Sequence, residues 1–341
     1  MSRYWLTLFF GGLLLSSSAF AAGVGLGFGG ISLPDGTFQS TAARPQLPPD
    51  TAWVALSGGD YTNPVDAMTH WSDWCGLGST ATRCTLLIAP GTYELLKDQQ
   101  LVMHENVDIV GMGMESTQIV GRAGGTTSGE GSALILGASE ATLRDLSVVN
   151  AGVDNAANVT GIYNKYSSFS IVRVKLTASF SGSNGTDNYG IVNEGANAVN
   201  VTFDDIKVWS IGNYAVGSKK CFGIWNKGYA KLEINHAEVQ ATGCNDDNTA
   251  IQNTEGTLRL VNVDAEAYFA GDFRAFAVWN TQGTITILDS TLNSTYRSLG
   301  IDSASDRIIN TQLDGSVSDT FPSPSTQCRG TYDDNLTKVD C

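Results

Sequence analysis

The chain of 341 residues carries a net charge of −14, 38 glycines and only 16% charged residues. That balance excludes a nucleic-acid partner, whose phosphates need clustered Lys and Arg, and works against unaided capture of polyanions; it also keeps an exported protein dispersed. Length alone would permit two domains, but a solenoid grows in one dimension and escapes that limit.

Residues 1–21 read as a secretory signal: Arg3 supplies a positive start, Leu6 to Leu15 a largely apolar stretch, and Ala19-Phe20-Ala21 a small-residue cleavage site. The apolar run is too short to span a bilayer, and no later stretch is longer. The expected mature chain is therefore exported (periplasm, cell surface or extracellular) with no membrane span. Its six cysteines form an even set suited to an oxidising compartment. Their grouping pairs Cys75 with Cys84, Cys221 with Cys244 and Cys328 with Cys341, each closing a local loop. None has a partner at zinc-ligand spacing, so no metal is expected from them.

Residues 22–49 form a Gly- and Pro-containing lead-in without a sustained period. Within it, Pro34-Asp35-Gly36-Thr37-Phe38-Gln39-Ser40-Thr41-Ala42 resembles a segment of phage tail-fibre and bacterial surface proteins; by itself Pro34-Asp35-Gly36 predicts a turn. From Trp53 the pattern becomes dense. Trp53-Val54-Ala55-Leu56 predicts a strand, and Asn63-Pro64-Val65-Asp66-Ala67-Met68 predicts a helix with Asn as N-cap and Pro at its first position. Such a helix would cap the first coil of a solenoid. Short β-branched runs punctuated by Gly follow at Leu86–Tyr93, Val107–Gly113 and Thr117–Gly121.

Beyond residue 150 the chain repeats. Gly161-Ile162-Tyr163-Asn164 recurs as Gly190-Ile191-Val192-Asn193, Gly223-Ile224-Trp225-Asn226, Ala250-Ile251-Gln252-Asn253 and Ala277-Val278-Trp279-Asn280. Successive Asn residues are 29, 33, 27 and 27 apart, a solenoid period. Ala133-Leu134-Ile135-Leu136 is read as an earlier echo and Leu299-Gly300-Ile301-Asp302 as a later one. Two further alternating runs follow each unit, such as Leu258-Arg259-Leu260 and Val263-Asp264-Ala265. Three strands per coil predict an all-β parallel β-helix over residues 50–315, followed by a disulfide-bearing tail over 316–341. The Asn column, Asn164, Asn193, Asn226, Asn253 and Asn280, is expected to be structural, each side chain bonding backbone groups left unpaired at a tight corner.

Residues 53–150 resemble the opening of the pectinesterases within the pectin-lyase-like superfamily. The resemblance rests on Gly59-Asp60-Tyr61, Ile88-Ala89-Pro90-Gly91-Thr92-Tyr93, Val107-Asp108-Ile109-Val110-Gly111 with Gly113 and Thr117, and Asp145-Leu146-Ser147-Val148-Val149-Asn150-Ala151-Gly152. It implies a right-handed β-helix and a polysaccharide ligand. The esterase pattern then stops: where the family carries Gln-Ala-Val, this chain reads Asn158-Val159-Thr160-Gly161-Ile162. Neither Gln-Asp-Thr-Leu nor Asp-Phe-Ile-Phe-Gly, which hold the family's catalytic carboxylates, appears downstream. The polygalacturonase pattern fares no better, because Asn245-Asp246-Asp247-Asn248 has no Gly-His-Gly or Arg-Ile-Lys beside it.

Two columns remain as candidate sites. Aligned coils place Arg173, Asp205, His236, Asn262 and Asp289 at one polar corner; lyase-type chemistry there would pair a base with Ca²⁺-binding carboxylates, whereas a plain stack of turns is polar too. No other cofactor is implied. Between the inward Ile and Asn of each repeat, one residue points outward, giving a column with Tyr163, Trp225 and Trp279. Two coils separate the tryptophans, roughly 10 Å, a spacing suited to stacking on pyranose rings. The competing expectation is that loops cover these rings as peripheral core. The sequence thus predicts a non-catalytic surface protein binding polysaccharide or surface glycan through Tyr163, Trp225 and Trp279. The alternative is a divergent polysaccharide-active enzyme, pectinesterase- or pectate-lyase-like, acting on a uronate-containing glycan. A third reading is a structural protein whose lead-in drives homo-oligomerisation.

Overall fold

The computed structural model describes residues 25–27, 30–32, 38–39 and 47–333, apart from segments 77–82, 154–155, 181–185, 197–200, 214–217, 269–273, 302–305 and 318–326. The chain divides into two compact units, 1–45 and 46–341. In the first, Gly25–Gly27, Gly30–Ser32 and Phe38–Gln39 form a small antiparallel sheet. The predicted signal and the Pro34-Asp35-Gly36 turn lie outside the described residues, as does the pairing of Cys328 with Cys341.

The second unit is a right-handed parallel β-helix of about seven turns. Its strands stack in register into three ladders, here called faces A, B and C. Face A begins at Leu101–Val102 and Ala133–Leu136 and continues through Asn158–Lys165, Asp187–Glu194, Lys220–Lys227, Asp247–Thr254 and Arg274–Thr281. Face B runs from Thr51–Val54 and Cys84–Ile88 to Gln327–Arg329. Face C runs from Gly91–Glu94 to Tyr332–Asp333. Parallel pairing therefore continues beyond residue 315, where the sequence placed the end of the helix: Gln312–Val317, Gln327–Arg329 and Tyr332–Asp333 add rungs to the stack.

Alternation along each strand builds the core. On face B, Leu86, Ile109, Leu143, Ile171, Phe203, Ile234, Leu260 and Ile287 stack in register and are fully buried. On face A, Ile162, Ile191, Ile224, Ile251 and Val278 do the same. Each such burial contributes about 1.5–3 kcal/mol. At the N-terminal end lies the predicted helix, Pro64–Thr69, with the Asn63 side chain accepting from the Val65 backbone N–H and with Pro64, Ala67 and Met68 buried. A short second helix, Trp71–Trp74, follows and leads to the Cys75–Cys84 disulfide; a second disulfide joins Cys221 to Cys244. These bridges suit an oxidising compartment. Among the described residues, no helix is long and apolar enough to cross a membrane.

The corner between faces B and C has a single conformational rule. Asp145, Arg173, Asp205, His236, Asn262, Asp289 and Asn310 all adopt left-handed backbone, with φ between 47° and 60°. One such residue per coil bends a continuous run into two strands. Asp, Asn and His tolerate that conformation better than most residues, which accounts for the polar column seen in the sequence.

The Asn column closes the corner after face A. Each Asn is fully buried, and each Nδ2 donates to the Oδ1 of the next: Asn164 to Asn193 at 2.7 Å, Asn193 to Asn226 at 2.8 Å, Asn226 to Asn253 at 2.8 Å and Asn253 to Asn280 at 2.7 Å. The Ser167 hydroxyl donates to the first, and the last donates to Asp306. Both outer echoes read from the sequence shift in register. Ile135 pairs with Ile162, so Gly137, not Leu136, stands beside Asn164. At the other end Ile301 pairs with Asn280, and Asp306 accepts its hydrogen bond. A core aliphatic residue sets the register at each end, Ile135 beside Ile162 and Leu299 beside Val278.

Candidate functional site on face A

The Gly of the repeat determines what face A presents. A Cβ on Gly190 would lie 2.4 Å from both the Gly223 carbonyl oxygen and Val208 Cγ1, and one on Gly223 would meet Ala250 O and Val239 Cγ1 at 2.5 Å. This position points into the core, immediately before an Ile that also points inward. Two successive inward residues break the alternation of the strand. The residue before the Gly and the residue after the Ile therefore both face outward, side by side.

Two outer columns result. One is the predicted column, in register as Tyr163, Val192, Trp225, Gln252 and Trp279. The other, which the sequence reading missed, is Thr160, Tyr189, Phe222, Thr249 and Phe276. The recurring aromatic before Gly or Ala (Tyr189-Gly190, Phe222-Gly223, Phe276-Ala277) was the available signal. The rings of Tyr189, Phe222 and Trp225 stack mutually, with centroids 5.3–5.8 Å apart. Phe276 and Trp279 stack at 4.9 Å. Between the two plates lies a polar rung, Thr249 and Gln252.

The three predicted ring residues differ in exposure. Tyr163 is 5% exposed and belongs to the peripheral core with Tyr189, Val192 and Phe222. Its hydroxyl donates to Glu194 Oε2 at 2.8 Å, and Lys227 Nζ reaches the same oxygen at 2.9 Å. Burial and then Glu194 push the Tyr163 phenol up. Burial alone would raise the Glu194 carboxyl, but Lys227, Tyr163 and Lys165 hold it below its ordinary range. Trp225 and Trp279 are half-buried. The Lys227 ammonium lies 4.4 Å above the Trp225 ring and the Arg274 guanidinium 5.3 Å from that of Trp279, contacts that orient the rings. Trp225 Nε1 donates to Thr254 Oγ1 at 3.2 Å.

A cavity of about 270 Å³, lined by Val102, Glu130, Leu136, Gly137, Tyr163 and Lys165, opens at the N-terminal end of this face. Across the starts of the strands, charges alternate: Asp187, Lys220, Asp247, Arg274. Burial raises the Asp187 carboxyl, with Lys220 and Tyr189 pulling against it. Burial also raises that of Asp247, opposed by the Thr249 hydroxyl, Arg274 and Lys220. Among the described residues, Asp187 Oδ1 and Gln252 Oε1 are buried acceptors without a hydrogen-bond partner.

The corner column lies away from these rings, between faces B and C. Its charges pair locally: Arg173 donates to both Asp145 oxygens at 2.6 and 2.9 Å, His236 Nδ1 sits 3.1 Å from Asp204, and Asn310 donates to Asp289 at 3.1 Å. The Arg173 hydrogen bond holds the Asp145 carboxyl below its ordinary range. Among the described residues, no group of three His, Cys, Asp or Glu is arranged to hold a metal ion, at this corner or elsewhere.

No family model matches the sequence, and no curated protein does. The fold has counterparts among solved structures. Pectin methylesterase from carrot superposes with a TM-score of 0.51 at 13% identity, covering 88% of this chain and 91% of that one. The Erwinia chrysanthemi pectin methylesterase gives 0.47 at 13% identity over 85% and 91%. That of Aspergillus niger gives 0.43 at 13% over 88% and 93%. At such identity the likeness speaks for architecture: this chain has the right-handed parallel β-helix fold of the pectin-lyase-like proteins.

Proposed function

We propose that the protein is an exported β-helix protein that binds carbohydrate, without transforming it, on the aromatic plates of face A. The observation that carries this reading is the pair of half-buried tryptophans, Trp225 and Trp279, backed by the buried rings of Tyr189 and Phe222 and of Phe276, either side of the Thr249/Gln252 rung. Two rungs separate Trp225 from Trp279, roughly 10 Å. A pyranose presents apolar C–H faces to aromatic rings and hydroxyls to polar side chains. Gln252, half-buried, is the polar residue between the plates. Export is supported by the two disulfides and the N-terminal pattern.

The test is a glycan-array screen of the purified protein beside Trp225→Ala and Trp279→Ala variants, each checked for native circular dichroism. Selective binding by the parent, lost in folded variants, supports the reading; absence of binding by the parent overturns it. A second reading is a divergent polysaccharide-active enzyme. Asp187 favours it, because a burial-raised carboxyl bonded by the Tyr189 hydroxyl can act as a general acid. Turnover of uronate or esterified glycans, abolished by Asp187→Asn, would select it over the first.

A further inference from the structure

Face C distributes its charges differently from face A. Along face A, opposite charges alternate from rung to rung, Lys220 facing Asp247 and Asp247 facing Arg274. That is the stable arrangement for neighbouring strands, since like charges directly opposite one another are destabilising. On face C one outward column reads Lys175, Lys207, Glu238, Asp264, Thr291 in strict register, with buried Ser147 on the rung before it. Lysine stands beside lysine and carboxylate beside carboxylate, with one opposed pair at the centre, where Lys207 Nζ lies 2.8 Å from Glu238. Lys175 also reaches Glu115, two turns away, at 3.2 Å. Burial, Glu266 and Glu238 all raise the Asp264 carboxyl. Beside this column, Trp209 is half-buried and Ile211 is exposed.

We propose that face C is a homodimer interface in which two copies stack antiparallel about a two-fold axis lying along the strand direction between the Lys207 and Glu238 rungs. That operation reverses the order of coils and keeps position along the strand. Lys207 of each copy then meets Glu238 of the other, and Lys175 meets Asp264. Every like-charged neighbour within one chain gains an opposite charge across the interface, the self-complementarity that an isologous contact requires. The occupant is a second copy because the charge order is antisymmetric about its own midpoint, a condition that an unrelated partner does not impose. The five rungs from Lys175 to Thr291 offer roughly 400 Å² per copy at the usual strand spacing and rise, about half the ~800 Å² per partner of standard interfaces, so the dimer is a weak one held by charge.

Sedimentation velocity of the purified protein over a concentration series tests this independently of any glycan. The expected result is a monomer–dimer equilibrium that weakens at least tenfold between low and high salt. Two charge-reversed variants complete the test: Lys175→Glu/Lys207→Glu, and Glu238→Lys/Asp264→Lys. Each alone should be monomeric with native circular dichroism, and an equimolar mixture should form a heterodimer. A parent that stays monomeric throughout, or a dimer indifferent to both reversals, overturns the proposal.

Discussion

The Asn280 side-chain amide donates to the Asp306 Oδ1 at 2.9 Å, so the buried Asn column ends on a carboxyl oxygen. Every amide upstream donates in the same direction, from Ser167 at one end to Asp306 at the other. Asp306 also accepts from the Ile285 N–H at 3.0 Å. An interior truncation breaks two links at once. Asn226→Ala leaves Asn193 Nδ2 and Asn253 Oδ1 without each other's intermediary, and at about 1–3 kcal/mol for each orphaned buried group the loss is roughly 3 kcal/mol or more. Asp306→Asn keeps an acceptor and should cost about 1 kcal/mol. Urea unfolding midpoints of the two variants will show this order; equal, small shifts would mean that the column is not a stabilising chain.

The corner between faces B and C makes a different prediction. His236 and Asn262 hold φ of 52°, a conformation that costs an L-residue about 1 kcal/mol and glycine little. His236→Gly should therefore shift stability by no more than about 1 kcal/mol, the conformational relief offset by lost chain stiffness. His236→Val, with a branched side chain forced into the same backbone, should lower it by at least about 1 kcal/mol. Thermal unfolding of the pair separates a backbone role from a catalytic one. A catalytic corner would instead show wild-type stability in both variants and loss of any turnover.

How much of this was legible follows from which periodicities were intact. The Ile and Asn of the repeat recur at fixed offsets, so their stacking could be read directly from Ile162 to Asn280. The outer echoes slipped by one residue because Leu134, Ile135 and Leu136 are all apolar and give no phase, while Ile301 took the register position of an Asn. The second aromatic column stayed hidden for a physical reason. Strict alternation sends Tyr189 and Phe222 inward, and only the doubled inward pair at Gly190-Ile191 and Gly223-Ile224 turns them out. Asp306 could not be found from spacing at all, since it reaches Asn280 from a different position along its coil.

That doubled inward pair is itself open to mutation. Gly190 has no room for a side chain, with backbone and Val208 both at 2.4 Å from a Cβ. Gly190→Val should cost upwards of about 3 kcal/mol through overpacking and displaced strands. The equivalent Ala250 and Ala277 show that one methyl can be housed where the neighbours differ, so Gly190→Ala should cost less than Gly190→Val. Denaturant midpoints that rank the two in the reverse order would contradict the packing account of the repeat.

Asp247 gives the protein a pH dependence of defined sign. Its side chain is buried and accepts from the Thr249 hydroxyl at 2.8 Å. Burial raises its carboxyl above the ordinary value, more than Thr249, Arg274 and Lys220 lower it. A folded-state pKa above the unfolded one means that the folded chain holds the proton longer, so stability falls as pH rises from the ordinary carboxylate range through the raised value. Asp187, raised mainly by burial as well, adds a slope of the same sign. Asp145 and Glu194, both lowered, contribute stability that is present above the unfolded value and lost as pH falls through their folded ones. The two sets therefore act in adjoining windows, with a stability maximum between them. Asp247→Asn retains an acceptor for Thr249 but cannot ionise, so it should flatten the alkaline limb of that maximum and leave the acid limb in place. Urea unfolding of parent and variant at a series of pH values from 3 to 8 measures both limbs. An unchanged alkaline limb in the variant would show that Asp247 does not titrate in the folded protein over that range.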